Sequence, residues 1–179
     1  MKILITSDTH MFNDILEDLI KHYQKEIDLW IHCGDSSLSK EHALMQRFDI
    51  VVKGNHDEED FPLFQVYQDI YVTHGHCHHV YKGYEELIQQ CQKHQCQLCF
   101  HGHTHVPTLQ KLQDITFINP GSLMMNRGSY GYGTYAIVNK NQNNIDVQFY
   151  HHMTHQPCSW DIIEEGYELL KEFQTYAKK

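Results

Sequence analysis

The chain has 179 residues, with 14 Lys and Arg against 23 Asp and Glu, a net charge of −9, six cysteines and 16 histidines. That length suffices for one domain burying roughly 70% of the surface its unfolded chain exposes, so a core needs neither a disulfide frame nor a second domain. The negative balance without a basic run excludes broad attraction to nucleic acid or anionic membrane, and no segment reaches the ~20 apolar residues of a membrane span.

From the N-terminus, KILITS at 2–7 is β-rich and ends at Asp8. Residues 12–24 follow with Phe12, Ile15, Leu16, Leu19, Ile20 and Tyr23 at helical spacing, and Asp14 with Glu17 has the spacing of an N-terminal cap. IDLWIHCGD at 27–35 and DIVVKGNHD at 49–57 are two further strand-like runs ending in carboxylates, with a helix predicted between them from about Lys40 to Phe48. YVTHGH at 71–76 and QLCFHGHTH at 97–105 repeat the arrangement around a helical stretch from about Tyr84 to Lys93. TFINPGS at 116–122, TYAIVNK at 134–140 and IDVQFYHH at 145–152 are strand-like and joined by Gly- or Asn-rich turns. Residues 160–177 carry Ile162, Ile163, Tyr167, Leu169, Leu170 and Phe173 at amphipathic helical spacing, a face that either docks on the domain or forms a dimer contact. Alternating βα units followed by β-rich sequence predict packed sheets with helices outside. No linker or repeat divides residues 1–179, which are read as one domain.

Cys96 and Cys99 form a CxxC with no second pair, so a structural zinc site is not predicted. With no export signal ahead of the first strand, the six cysteines are read as reduced thiols in a cytoplasmic protein.

Five predicted strands end in polar clusters, DTH, GD, GNHD, HGH and GHTH, and ligands of open α/β sheets gather at the carboxyl ends of strands. A phosphate ligand would need local positive charge in so acidic a chain, and histidine, the commonest metal-binding side chain, points to metal ions as its source. Taken singly each cluster is weak, since GNHD marks turns and a lone histidine is more often structural. Together they are not: seven suitable residues at a probability of ~0.1 each give a joint chance on the order of 10⁻⁷ before alternative placements are allowed for. The donors are carboxylate, amide and imidazole without thiolate, a set suited to Mn, Ni, Zn, Fe or Mg.

In this order the clusters resemble the calcineurin-like metallophosphoesterase superfamily, within it the small prokaryotic phosphodiesterase group, over residues 1 to about 150. The resemblance implies a four-layer α-β-β-α sandwich of two mixed β-sheets flanked by helices. It also implies two divalent metal ions per chain, with manganese favoured. Asp8, His10 and His105 would hold one, Asn55, His74 and His103 the other, and Asp35 would bridge both. Two metals about 4 Å apart clamp attacking and leaving oxygens and acidify a water, so the implied activity is hydrolysis of a small-molecule phosphate ester, phosphodiester before phosphomonoester. His56 is the residue implied to stabilise the transition state or protonate the leaving group, with Asp57 orienting it or a neighbour. His76, His78 and His79 are read as surface or supporting residues, His101 as part of its strand, and His151, His152 and His155 as solvent-exposed. The NPGS turn, Asn119 to Ser122, either borders the site or is a plain turn. Arg127 is either a phosphate contact or a solvated arginine. The alternative function is a catalytically idle scaffold, the use to which the eukaryotic retromer subunit puts this fold.

Overall fold

Strands whose apolar residues are consecutive rather than alternate must be covered on both faces, and the chain builds two sheets to do so. The computed structural model describes residues 1–58, 60–142 and 144–177. The first half contains β1 (Lys2–Thr6), α1 (Asn13–Tyr23), β2 (Leu29–His32), β3 (Ile50–Val51), β4 (Phe64–Tyr67), β5 (Ile70–Thr73) and α2 (Glu85–Lys93). The second adds β6 (Leu98–Phe100), β7 (Thr108–Leu112), β8 (Ile115–Asn119), β9 (Thr134–Lys140), β10 (Ile145–His151) and α3 (Asp161–Ala177).

Both sheets are mixed. In the first, with order β10-β9-β1-β2-β3, β1, β2 and β3 run parallel and β9 and β10 return antiparallel. In the second, with order β4-β5-β6-β8-β7, β5, β6 and β8 run parallel between antiparallel edges. The period-2 alternation of a strand divides the apolar residues among three layers of packing. Ile3, Ile5, Ile31, Val72, Leu98, Phe100, Ile118, Ala136 and Val138 fill the space between the sheets. Leu4, Trp30, Tyr135 and Ile137 point outward to Leu16, Leu19 and Ile20 of α1. Tyr71, Cys99 and Phe117 point outward to Leu87 and Cys91 of α2. The result is the four-layer sandwich.

α3 docks its apolar face on the chain: Ile162 and Ile163 join the core between the sheets, with Tyr167 packed beside them. Among the described residues no helix is long and apolar enough to cross a membrane.

Two expectations about secondary structure fail, and two strands were not anticipated. Residues 40–48 hold only a single 3₁₀ turn, Met45–Arg47; the segment sinks Met45 and Phe48 into the α1-side core, which one turn accomplishes. Asp14 does not cap α1, which starts at Asn13 after Phe12 without a side-chain cap. The chain enters the helix from the left-handed residues His10 and Met11 (φ 47° and 65°), which fix the entry by backbone geometry. The edge strands β4 and β7 were not predicted. β4 is exposed along most of its length, and the β7–β8 hairpin turns through Gln113 and Asp114, both at positive φ, without the Asn-Gly or Asp-Gly signal that marks such turns.

Phe100 is fully buried at the centre of the core between the sheets. Phe100→Ala should lower unfolding free energy by about 3–5 kcal/mol, read as a fall in the urea midpoint at unchanged slope.

Candidate metal centre

The parallel strands deliver their carboxyl ends to one edge of the sandwich. Asp8 follows β1, Asp35 follows β2, the Gly54–Asp57 turn follows β3, His74 follows β5, and His103 and His105 follow β6. Asp8, Asp35 and His74 are buried, His10, His103 and His105 half-buried, and Asn55 and His56 exposed. Two groups of side chains converge closely enough to hold a cation: Asp8, His10 and His105, and Asp8, Asp35 and His74. Asp8 is common to both, whereas the resemblance gives the shared place to Asp35. His103 joins them through its ring, 5.1 Å from that of His74, and its backbone N–H, which donates to Asp8 Oδ2 at 3.1 Å. Asn55 stands in the turn beside His56, whose backbone N–H donates to Asp35 Oδ1 at 2.7 Å and whose ring lies 5.4 Å from that of His10.

The electrostatics call for a cation. His74 Nδ1 donates to the Cys33 carbonyl at 2.7 Å, which in the neutral ring leaves the Nε2 lone pair facing Asp35 Oδ2 at 3.3 Å and Asp8 Oδ1 at 3.8 Å. His105 Nε2 meets the same Asp8 Oδ1 at 3.1 Å, yet Asp8 Oδ1 and His74 Nε2 remain buried without a hydrogen-bond partner. A fixed, outward-bonded imidazole with its second nitrogen aimed at carboxylates is the arrangement of a metal ligand. Lacking a cation, the chain can relieve the charge only with a proton. Burial disfavours that proton on His74, but the charge of Asp8 and the bond to Asp35 outweigh it and raise the pKa. Burial likewise pushes the Asp8 carboxyl up, and the opposing charge of His74 with the proximity of His105 holds it below the usual range. Burial lowers His10, and lowers His103 to about 4, so both offer neutral nitrogens. The residues present therefore fit a divalent metal.

The backbone is bent to make this site. Asp8, His10, Asp35, His103 and His105 all have positive φ, between 47° and 69°, a conformation that costs a non-glycine residue of order 1 kcal/mol or more and clusters at functional sites. Two glycines allow the loops to close. A Cβ on Gly54 would collide with the Asp35 carboxylate, and one on Gly102 with Ser7 Oγ and with Asp8 Oδ2 at 2.7 Å.

Supporting residues lock the loops. Asp57 is buried and accepts from the N–H groups of Asp35 (2.8 Å), Ser37 (2.7 Å) and Gly54 (2.8 Å) and from Ser36 Oγ (3.2 Å), so the neighbour it orients is Asp35. His32 accepts at Nδ1 from Gly34 N–H, so its Nε2 donates to Thr9 Oγ1 at 2.6 Å; burial lowers its pKa to about 4 and keeps it neutral. The NPGS turn borders the site: Ser122 Oγ donates to the Asp8 carbonyl at 2.8 Å, and the Asn119 amide donates to Gly102 O and Thr104 Oγ1. His101, just past its strand, is buried between Tyr84 OH and Gly102 O and lowered by burial to about 4.

Of the remaining histidines, His76 lies half-buried with its ring 5.3 Å from His74, His78 packs against Tyr71, and His79 is exposed beside Glu86. The prediction of exposure fails for His152, buried with Nδ1 donating to Leu123 O, and for His155, held between Tyr135 OH and Asp18. Their segment folds back onto α1 and β9, a contact that local sequence does not encode. The six cysteines are free thiols. Sequence reasoning missed Tyr81, whose hydroxyl donates to the His103 carbonyl at 3.1 Å and which no motif marks.

The family model described as the calcineurin-like phosphoesterase superfamily domain matches residues 1–143. The probable metallophosphoesterase YsnB of Bacillus subtilis is 32% identical over 155 residues, 84% of this chain and 90% of that protein. A phosphodiesterase of Methanocaldococcus jannaschii is 27% identical over 145 residues, 68% of this chain and 83% of its own length. The crystal structure of a predicted phosphoesterase from Streptococcus pneumoniae superposes with a TM-score of 0.82 at 30% identity, over 89% of this chain and 93% of the other.

Asp57→Asn would set an amide N–H₂ against converging donors. It should cost about 2–4 kcal/mol of stability and roughly tenfold or more in metal affinity, measured by urea unfolding and by competition with a chromogenic chelator.

Proposed function

The chain belongs to the calcineurin-like phosphoesterase superfamily, and we propose that it hydrolyses a small phosphate ester, phosphodiesters ahead of phosphomonoesters, using two divalent metal ions. The observation that carries this reading is the pair of buried, unpartnered ligand atoms, Asp8 Oδ1 and His74 Nε2, which face each other at 3.8 Å. Asp8, His10 and His105 would hold one ion and Asn55, His74 and His103 the other, with Asp35 reaching both. Manganese is the first metal to try, since oxygen and imidazole donors accept it along with Ni, Zn, Fe and Mg. Bound there, divalent ions would supply Lewis acidity toward a phosphoryl oxygen and lower the pKa of water.

The chain's own groups do the rest. His56 is exposed, tethered through its N–H to Asp35, and edge-on to His10, so its imidazole borders the metal ligands and is free to give a proton to the departing alkoxide. Asp57 fixes the backbone of Asp35 and Gly54, and thereby the turn on which His56 stands. The preference for a diester rests on the M. jannaschii relative named a phosphodiesterase. The free thiols fit the reducing cytoplasm. A scaffold would require neither the five left-handed ligand positions nor a buried carboxylate oxygen left without a hydrogen bond.

Metal-stripped protein should regain hydrolysis of bis-p-nitrophenyl phosphate, and less of p-nitrophenyl phosphate, on reconstitution with Mn, Ni, Zn or Mg. His56→Ala should lower kcat by about 10²-fold or more at unchanged metal content. Full turnover by Asp35→Ala would refute the reading.

A further inference from the structure

The rim of the metal centre carries a guanidinium that the ligand set does not use. Arg127 is one of two arginines in a chain of net charge −9, and none of the ion pairs among the described residues employs it. Its segment is fastened to the site. The Arg127 N–H donates to the His105 carbonyl at 2.9 Å, Asn126 Oδ1 accepts from Ser122 N–H at 2.9 Å, and Ser122 Oγ holds the Asp8 carbonyl.

Tyr81 connects this segment to α3. Its hydroxyl donates to the His103 carbonyl, its ring lies 5.0 Å from that of His103, and its other side meets Phe173 at 5.5 Å, edge to face. The Tyr81 hydroxyl also lies within hydrogen-bonding reach of the Arg127 side chain. α3 also seats on the segment that follows His105 and on the one that carries Arg127. Tyr167 OH donates to Leu109 O, Tyr130 OH donates to Ile162 O at 3.0 Å, and a Cβ on Gly166 would strike the Pro107 carbonyl. This helix lies beyond the residues 1–143 that the family model matches.

We propose that Arg127 binds a non-bridging phosphoryl oxygen of the ester, and that α3 sets the position of that guanidinium through the Phe173–Tyr81 contact. The proposal rests on the phosphoesterase reading above. A guanidinium is a planar fork that matches phosphate oxygens in pairs, and here it stands beside Tyr81 on a segment hung from the backbone of His105. Phe173 is a positioning residue, acting through Tyr81.

The test uses the full, metal-loaded chain with inorganic phosphate as the probe, its affinity measured by calorimetry beside KM and kcat for bis-p-nitrophenyl phosphate. Arg127→Ala should weaken phosphate roughly tenfold or more and raise KM in step, with metal content unchanged and Arg127→Lys recovering part of the loss. Phe173→Ala should show a smaller loss of the same kind, restored by Phe173→Tyr. Unchanged phosphate affinity in Arg127→Ala, or a loss that follows departing metal, overturns the proposal, and an indifferent Phe173→Ala overturns the part assigned to α3. Wild-type protein that binds metal and phosphate yet hydrolyses neither ester refutes the enzymatic reading and leaves the phosphate measurement decisive for Arg127. Wild-type protein that takes up no phosphate overturns both.

Discussion

Asp8 is the fixed point of the molecule. Its carboxylate is fully buried, one oxygen takes the His103 N–H, and the other faces two histidine nitrogens without a hydrogen bond. Burying a carboxylate with an unsatisfied oxygen costs several kcal/mol unless an opposite charge compensates, and Asp35 brings a second carboxylate to His74. The surrounding chain is organised to keep this arrangement rather than to relieve it. Asp57 collects three backbone N–H groups of the loops after β2 and β3, His32 ties the loop after β1 to that after β2, and Ser122 holds the Asp8 carbonyl from the far side. The left-handed backbone of five candidate ligand residues is a further cost that a centre of bound charge would offset.

Much of this was legible in the sequence, for a reason that also explains what was not. β1, β2, β5 and β6 are buried on both faces, so they read as unbroken apolar runs, and the abrupt change to Asp, His, Asn and Gly marked where each strand meets the site. Edge strands β4 and β7, half in solvent, carry no such contrast. The segment around Met45 and Phe48 has helix-like composition, but it needs only one turn to cover the α1-side core. Position within a loop is legible when the residue is a candidate ligand, as with His103 and His105, because the chemistry restricts its type. A residue such as His152 or Tyr81 is placed by contact with distant chain, Leu123 in one case and Phe173 in the other, and nothing near it in sequence announces that. Asp57 sits between: its proximity to Gly54 was visible, but the loop it gathers begins 22 residues earlier at Asp35.

The ligand loops lie within the span matched to the superfamily, whereas α3 lies outside it, yet α3 touches the segments that carry His103, His105 and Arg127. An amphipathic helix of this kind contributes through its buried stripe, Ile162, Ile163 and Leu170, and through Phe173, which meets Tyr81 at the rim. Packing that serves the core at one end of the helix thus serves the mouth of the site at the other.

The central claim, that strand-end loops of both sheets converge on two metal ions, is tested most directly by anomalous diffraction from crystals of manganese-loaded protein. Two peaks about 4 Å apart are predicted, one in contact with Asp8, His10 and His105, the other with Asn55, His74 and His103, and both reached by Asp35. A single peak, or metal found only at surface histidines such as His22 and His79, would contradict the account.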